Sequence, residues 1–276
     1  MRVSVLALTA IGAGSCVGVW AVPASAQDIR YDWTGVHVGI SLGLGSSAGA
    51  VALDYPEGTA GSNNVYFSDG NFRFSSETNA TVLSWPEAFD LEGMGPTISV
   101  DAGFDYQLGS VVVGAVVDST YLGTSGMEWA SGLVDDVGLN HSLTVSANLD
   151  QIYSLRSRVG IGIDRLLLFG TGGLAAGRVD MSTGATLVTD NGKGTASWEG
   201  ESSDWRMGFM AGAGAEYALT DNISIKTEAL YYDLGTSSVS ATGEGTFSSV
   251  AQDVAPFQAD VAVSGAIVRG GLSLRF

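Results

Sequence analysis

Cysteine is almost absent from this chain. The single Cys16 lies within the first 26 residues. A chain cleaved after Ala26 therefore has none, which excludes disulfides, thiolate nucleophiles and cysteine metal sites. Histidine is nearly as scarce, with His37 and His141 only. Positive charge is scarce too: Lys+Arg is 12 against 29 Asp+Glu, a formal charge of −17. That lacks the basic footprint nucleic acid demands, so no nucleic-acid partner is expected. Long apolar runs are missing as well. After residue 26 no run exceeds nine residues, MGFMAGAGA at 207–215, with VVVGAVV at 111–117 next, far short of the ~20 residues of a membrane-spanning helix.

What the chain does have is glycine, 39 of 276 residues, roughly twice ordinary usage. Its mean hydropathy is +0.24. An apolar-leaning, glycine-rich chain without helical spans fits a membrane β-barrel. The N-terminus accounts for part of the apolar content. MRVSVLALTAIGAGSCVGVWAVPASAQ has one Arg, an apolar centre and Ala24-Ser25-Ala26 before Gln27. This predicts a Sec signal peptide over 1–26, cut between Ala26 and Gln27, and a barrel domain over 27–276.

Beyond Ala26, short segments of period-2 alternation are separated by Ser/Thr/Gly/Asp-rich stretches. Eight strands are predicted, near 33–45, 97–108, 111–122, 149–163, 166–178, 205–219, 223–235 and 264–276. Each is long enough to cross a bilayer when tilted. Gly109-Ser110, Asp164-Arg165 and Thr220-Asp221-Asn222 form short turns. The other connections are long: 46–96, 123–148, 179–204 and 236–263. The expected fold is all-β, an eight-stranded antiparallel transmembrane barrel with short periplasmic turns and four long extracellular loops.

The strand faces differ in chemistry. Ile98, Val100, Ala102, Phe104 and Tyr106 alternate with Ser99, Asp101, Gly103, Asp105 and Gln107. Apolar faces suit lipid, and the polar faces then line a lumen narrow enough for side chains to fill. The segment 166–178 does not alternate, and its faces stay unassigned. The inward charges would be Asp101, Asp105, Asp118, Glu216 and Glu228 against Arg156, Arg158, Arg206, Lys226, Arg269 and Arg275. Charges buried there must pair. The bland expectation is a salt-bridge plug; the sharper one is an ion path. The remaining negative charge falls in the loops, where carboxylates suit divalent cations, although no loop has a ligand-spaced motif. No metal site is assigned.

The residues YDWTGVHVGISLG (31–43), RLLLFGTGGLAAGRV (165–179), GAGAEYALTDNISIKTEALYYDLG (212–235) and VRGGLSLRF (268–276) resemble a known family. It is that of the small 25/31-kilodalton, porin-like outer-membrane proteins of α-proteobacteria. The resemblance covers the strands and leaves the loops aside. It implies localisation in the cell outer membrane and assembly by the barrel-assembly machinery, with terminal Phe276 as the assembly signal. It brings no catalytic residues.

Other motifs carry less. Gly170-Thr-Gly172-Gly-Leu-Ala175 matches a dinucleotide-binding fingerprint, but no amphipathic helix follows it. His37 on a strand and His141 in a loop lie at different depths, which weakens a two-histidine haem or metal site. No enzyme activity and no cofactor are expected. The leading functional expectation is a structural and cell-surface role, with acidic loops displayed and the envelope supported. The alternatives are a narrow porin-type diffusion channel and surface binding of haem or an adhesion ligand. Expected partners are outer-membrane lipid, lipopolysaccharide, the assembly machinery and host or surface ligands met through the loops.

Overall fold

The structure, a computed structural model, describes residues 31–54, 88–123, 127–134, 140–188, 194–247 and 250–276. The expected cleavage pair Ala26/Gln27 lies outside them. Nine strands follow in order: β1 (Gly35–Asp54), β2 (Ala88–Leu108), β3 (Val111–Leu122), β4 (Met127–Val134), β5 (Asn140–Ile163), β6 (Leu166–Val188), β7 (Gly194–Ala218), β8 (Ile223–Phe247) and β9 (Val250–Arg275). All neighbouring pairs are antiparallel, and β9 pairs with β1. The short β4 continues the line of β3. β3 pairs with β5 as far as Tyr121↔Gln151, and β4 resumes at Met127↔Ala147. The two share one place, so eight strand positions close a ring through β3 and β5.

Local chemistry sets the tight turns at one end. Gly109 (φ 65) and Asp164 (φ 51) take the left-handed conformation that two-residue hairpins need. The β7–β8 connection is held by Thr220 Oγ1, which accepts from the backbone N–H of Ile223 at 3.0 Å and of Asn222 at 3.3 Å.

The long strands reverse their hydrophobic pattern partway along, as β1 and β9 show. On β1, Val36, Val38, Ile40, Leu42 and Leu44 point outward and are exposed, while His37 and Ser41 are buried. Ten residues further on, Val51 and Leu53 are buried, and Ala50 and Ala52 face out. The lower half is apolar outside and polar inside, as hydrocarbon requires. The upper half is apolar inside and polar outside, as water requires. Its interior is one packed cluster that includes Leu91, Leu143, Val145, Trp198, Leu234, Val239, Phe257 and Val261.

This reversal corrects the expected strand limits. The segments 140–148, 179–188, 194–204 and 236–247, expected as loop, are ladder-paired strand. So are 46–54, 88–96 and 250–263. Above the belt the outward residues include Asp90, Glu92, Glu199 and Glu201 beside Ser, Thr and Ala, so the sign of the alternation reverses while the backbone ladder continues. His141, expected in a loop, lies within β5 opposite Leu187. The rest of the expected 46–96 loop, residues 55–87, lies outside the described residues.

Candidate functional site: the barrel lumen

Inward positions of the lower half gather the charged side chains. Ten of the eleven expected lumen charges are buried there: Asp101, Asp105, Asp118, Arg156, Arg158, Glu216, Lys226, Glu228, Arg269 and Arg275. They form three tiers. In the tier nearest the tight turns, Arg158 Nη2 donates to Asp105 Oδ2 at 2.7 Å and to Glu216 Oε2 at 3.0 Å. Arg275 Nη2 reaches the same Asp105 oxygen at 3.1 Å and Glu216 at 3.4 Å. His37 Nδ1 stands 3.3 Å from Asp105. Ser224 donates to Glu216 at 2.6 Å.

The second tier is the pair Lys226–Asp101. Gly39 makes its room: a Cβ there would sit 2.8 Å from the Asp101 carboxylate and 2.9 Å from Lys226 Nζ. The third tier joins four groups. Arg156 Nη2 meets Asp118 Oδ1 at 2.8 Å, and Arg269 Nη1 meets Asp118 Oδ2 at 3.2 Å. Glu228 accepts from Arg269 Nε at 2.8 Å, lies 2.7 Å from its Nη2, and faces Arg156 Nη1 at 3.7 Å. Thr120 and Ser154 add hydroxyl bonds to Asp118.

Formal charge balances tier by tier: two acids with two arginines, one acid with one lysine, two acids with two arginines. Buried ions repay their lost hydration only when paired and hydrogen-bonded in this way. Arg206 stays apart from the network. It is half-buried on β7, and its Nε bonds to Ser237 Oγ at 3.2 Å.

Apolar clusters close the stack at both ends. Above lies the interior of the upper half. Below, Tyr31, Trp33, Val112, Leu167, Phe169 and Ala218 form a floor. Trp33 is fully buried; its backbone N–H donates to Gln107 Oε1 at 2.7 Å, and its backbone carbonyl accepts from Arg275. Arg275 lies 5.1 Å from the Trp33 ring centre, and Arg158 lies 4.5 Å from that of Phe169. The cations of the lowest tier thus rest on aromatic faces.

Phe169 resolves the unassigned faces of β6. Leu167 and Phe169 point inward; Leu168 and Leu174 point outward. Both faces are apolar at this level because one meets lipid and the other builds the floor. Sequence reasoning missed Trp33 and Phe169 as floor residues. For Trp33 the signal was present: it shares the inward parity of His37 and Ser41.

An antiparallel ring with a lipid belt, a paired polar lumen and tight turns at one end is an outer-membrane architecture. A model of the outer membrane protein beta-barrel domain matches residues 14–256. The chain belongs to that family. Among its relatives is the 31 kDa outer-membrane immunogenic protein of Brucella melitensis, 28% identical over 239 residues, covering 84% of each chain. The 22 kDa outer membrane protein of Rhizobium leguminosarum bv. viciae is 32% identical over 135 residues, covering 49% of this chain and 50% of its own. The resemblance seen in the strand motifs is therefore to true relatives, all α-proteobacterial, and the protein resides in the outer membrane. OprG of Pseudomonas aeruginosa covers 90% of this chain and 99% of its own at 12% identity, with a TM-score of 0.38. That superposition is too loose to argue from. In the outer membrane the tight turns face the periplasm, and the long strands rise from the outer surface.

Proposed function

We propose that this family member is a closed barrel with a structural and cell-surface role. Its β-sheet extension stands above the outer leaflet as a rigid, acidic display surface, and the barrel below anchors it and supports the envelope. The observation that carries this reading is the stacking order of the interior. An apolar floor, three neutral ion-pair tiers and an apolar roof lie in series. An ion would have to cross two dry layers and break buried pairs to pass. On this reading the lumen charges hold the barrel shut, and the protein is no enzyme.

Residues 1–26 direct export through the Sec pathway and are then removed between Ala26 and Gln27, and the barrel-assembly machinery recognises the last strand with Phe276. Outer-membrane lipid and lipopolysaccharide surround the belt. Host or surface ligands meet the extension. The test is conductance of the purified, refolded full chain in planar bilayers, beside the envelope phenotype of a deletion strain. The expected result is a baseline trace and a strain more sensitive to detergent and chelator. Stable channels well above baseline would overturn the structural reading in favour of a narrow diffusion pore.

A further inference from the structure

Two grooves open on the outer face of the wall, one on each side of β5. The lower lies within the lipid belt, on β2, β3 and β5. Its volume is about 340 Å³, and its walls are Val100, Val117 and Tyr153, with the small Ala102 and Ser119 between them. The upper lies above the belt, on β5, β6 and β7, with a volume of about 460 Å³. Its side chains stand in two cross-strand rows, Asn148–Asp180–Ser203 and Ser146–Ser182–Glu201. All of these residues occupy outward positions on their strands. Both volumes fall in the range of small-ligand sites, about 300–1,000 Å³.

The two grooves meet at the edge of the belt. Tyr153 and Trp205, 42% and 62% exposed, have ring centres 6.0 Å apart. Outward aromatics of this kind mark the level of lipid headgroups. At the same level the β5–β6 register shifts between Leu149 and Ile152, opposite Arg178, and Arg178 is the register partner of Trp205. The shift sets Asp150 and Gln151 between the grooves. Gln151 Nε2 donates to Ser119 Oγ at 2.9 Å, on the lower groove, and Asp150 accepts from Asn148 Nδ2 at 2.8 Å, on the upper.

The upper groove is ordered by its own bonds. Arg178 Nε donates to Ser203 Oγ at 2.8 Å, Ser203 donates to Asp180, and the Ser146 and Ser182 hydroxyls lie 2.8 Å apart. Carboxylates only accept, while serine hydroxyls and the Asn148 amide can do both. That mixture matches neighbouring sugar hydroxyls, which donate and accept in turn. Asp180 and Glu201 outnumber Arg178, so the groove disfavours an anion.

We propose that this face holds a glycolipid of the outer leaflet, recognised through its sugar. An acyl chain lies in the lower groove, the headgroup rests against Trp205, and its hydroxyls bond to Asn148, Asp180 and Glu201. Side chains already held in place lower the entropy cost of binding. The site rests on the upper strands standing above the outer leaflet, and not on the barrel being shut, so lipid retention and conductance can fail separately.

The test is native mass spectrometry of the full chain in an amine-oxide detergent, which brings no sugar of its own. The probes are diglucosyl diacylglycerol, sugar-free diacylglycerol, phosphatidylglycerol and free maltose. The glycosyl lipid should be retained about tenfold better than either sugar-free lipid, and millimolar maltose should not displace it. Its retention should fall about fivefold in Asp180→Ala, in Trp205→Ala and in Ala102→Leu, which fills the lower groove, and more than about tenfold in Asp180→Ala/Trp205→Ala. A heat-dependent gel shift shows which variants are folded barrels, and Ser182→Leu replaces any that is not. Equal retention of diacylglycerol, or undiminished retention by the double variant, would overturn the site. Preference for phosphatidylglycerol would mean anion recognition and overturn the sugar assignment. Displacement by maltose would assign the upper groove to a free saccharide and overturn the lipid assignment.

Discussion

Arg269 and Glu228 are register partners on adjacent strands, and one carboxylate oxygen of Glu228 accepts from Nε and sits against Nη2. Nε lies 2.8 Å and Nη2 2.7 Å from Oε2. The remaining Nη1 crosses to Asp118 at 3.2 Å. One guanidinium thus joins β9 to β8 beside it and to β3, three places away in the other direction. Replacing Arg269 by Met leaves Glu228 and Asp118 with Arg156 as their only arginine. Breaking a buried pair from one side costs about 3–5 kcal/mol. The double variant Arg269→Met/Glu228→Met keeps Asp118 with Arg156 and should recover most of the loss. Urea unfolding in detergent, read by the gel shift, measures both. Strictly additive costs would mean that the pair is not coupled.

The roof can be loosened without opening the membrane barrel. Trp198 is buried in the upper cluster, with its ring centre 6.5 Å from that of Phe257. Trp198→Ala should cost about 3–5 kcal/mol. Because the lesion lies above the belt, the extension should become protease-sensitive while the protected membrane fragment remains. Limited proteolysis of the variant in vesicles checks this. Loss of the protected fragment would show that roof and belt unfold as one unit.

How far the sequence reaches is visible in β9. Its lower half, from Val268 onward, alternates lipid-facing apolar residues with Arg269, Ser273 and Arg275, so both faces were legible. Its upper half, PFQADVAVSG (256–265), carries the same period with the sign reversed. Phe257, Val261 and Val263 are buried. Hydropathy read against a lipid outside has no place for such a segment, and it looked like loop. The acid–base composition of the lumen was legible for the same reason as the lower strands. Its partners were not, because pairing depends on shear: Arg158 meets Asp105 across β3, and Glu216 from the far side. Arg206 shares the inward parity of the network, but the interrupted β7–β8 ladder beside it was invisible in a sequence that stays extended throughout.

Phe276 separates assembly from stability. Its side chain is 77% exposed, while its N–H donates to the Val36 carbonyl at 2.9 Å. Phe276→Ala keeps that backbone bond and removes only a lipid-facing ring. Refolded stability in detergent should change by less than about 0.5 kcal/mol, as for exposed substitutions generally. If the ring is read by the assembly machinery, the amount of assembled barrel in cells should fall severalfold. Quantifying the heat-shifted band from outer membranes, beside the unfolding midpoint of refolded protein, distinguishes the two. Unchanged amounts in the membrane would dismiss the assembly role.

The reversal along β1 gives the most direct test of where the bilayer ends. Leu42 and Ala50 point to the same side of one strand, eight residues apart, and both are exposed. If lipid covered both, arginine would be costly at either position. With the boundary between them, Leu42→Arg should cost about 2–4 kcal/mol, the range for a lipid-facing arginine near the midplane of an outer-membrane barrel. Ala50→Arg should stay within about 0.5 kcal/mol of the parent, as on a watery surface. Val51→Arg, one residue along and 2% exposed, drives a charge into the apolar roof and should be as damaging as Leu42→Arg. Exposure alone ranks Leu42 with Ala50 and sets Val51 apart. The bilayer boundary instead sets Ala50 apart from the other two. Unfolding free energies of the three variants in vesicles decide between these orders, and equal costs at 42 and 50 would remove the extension from the aqueous side.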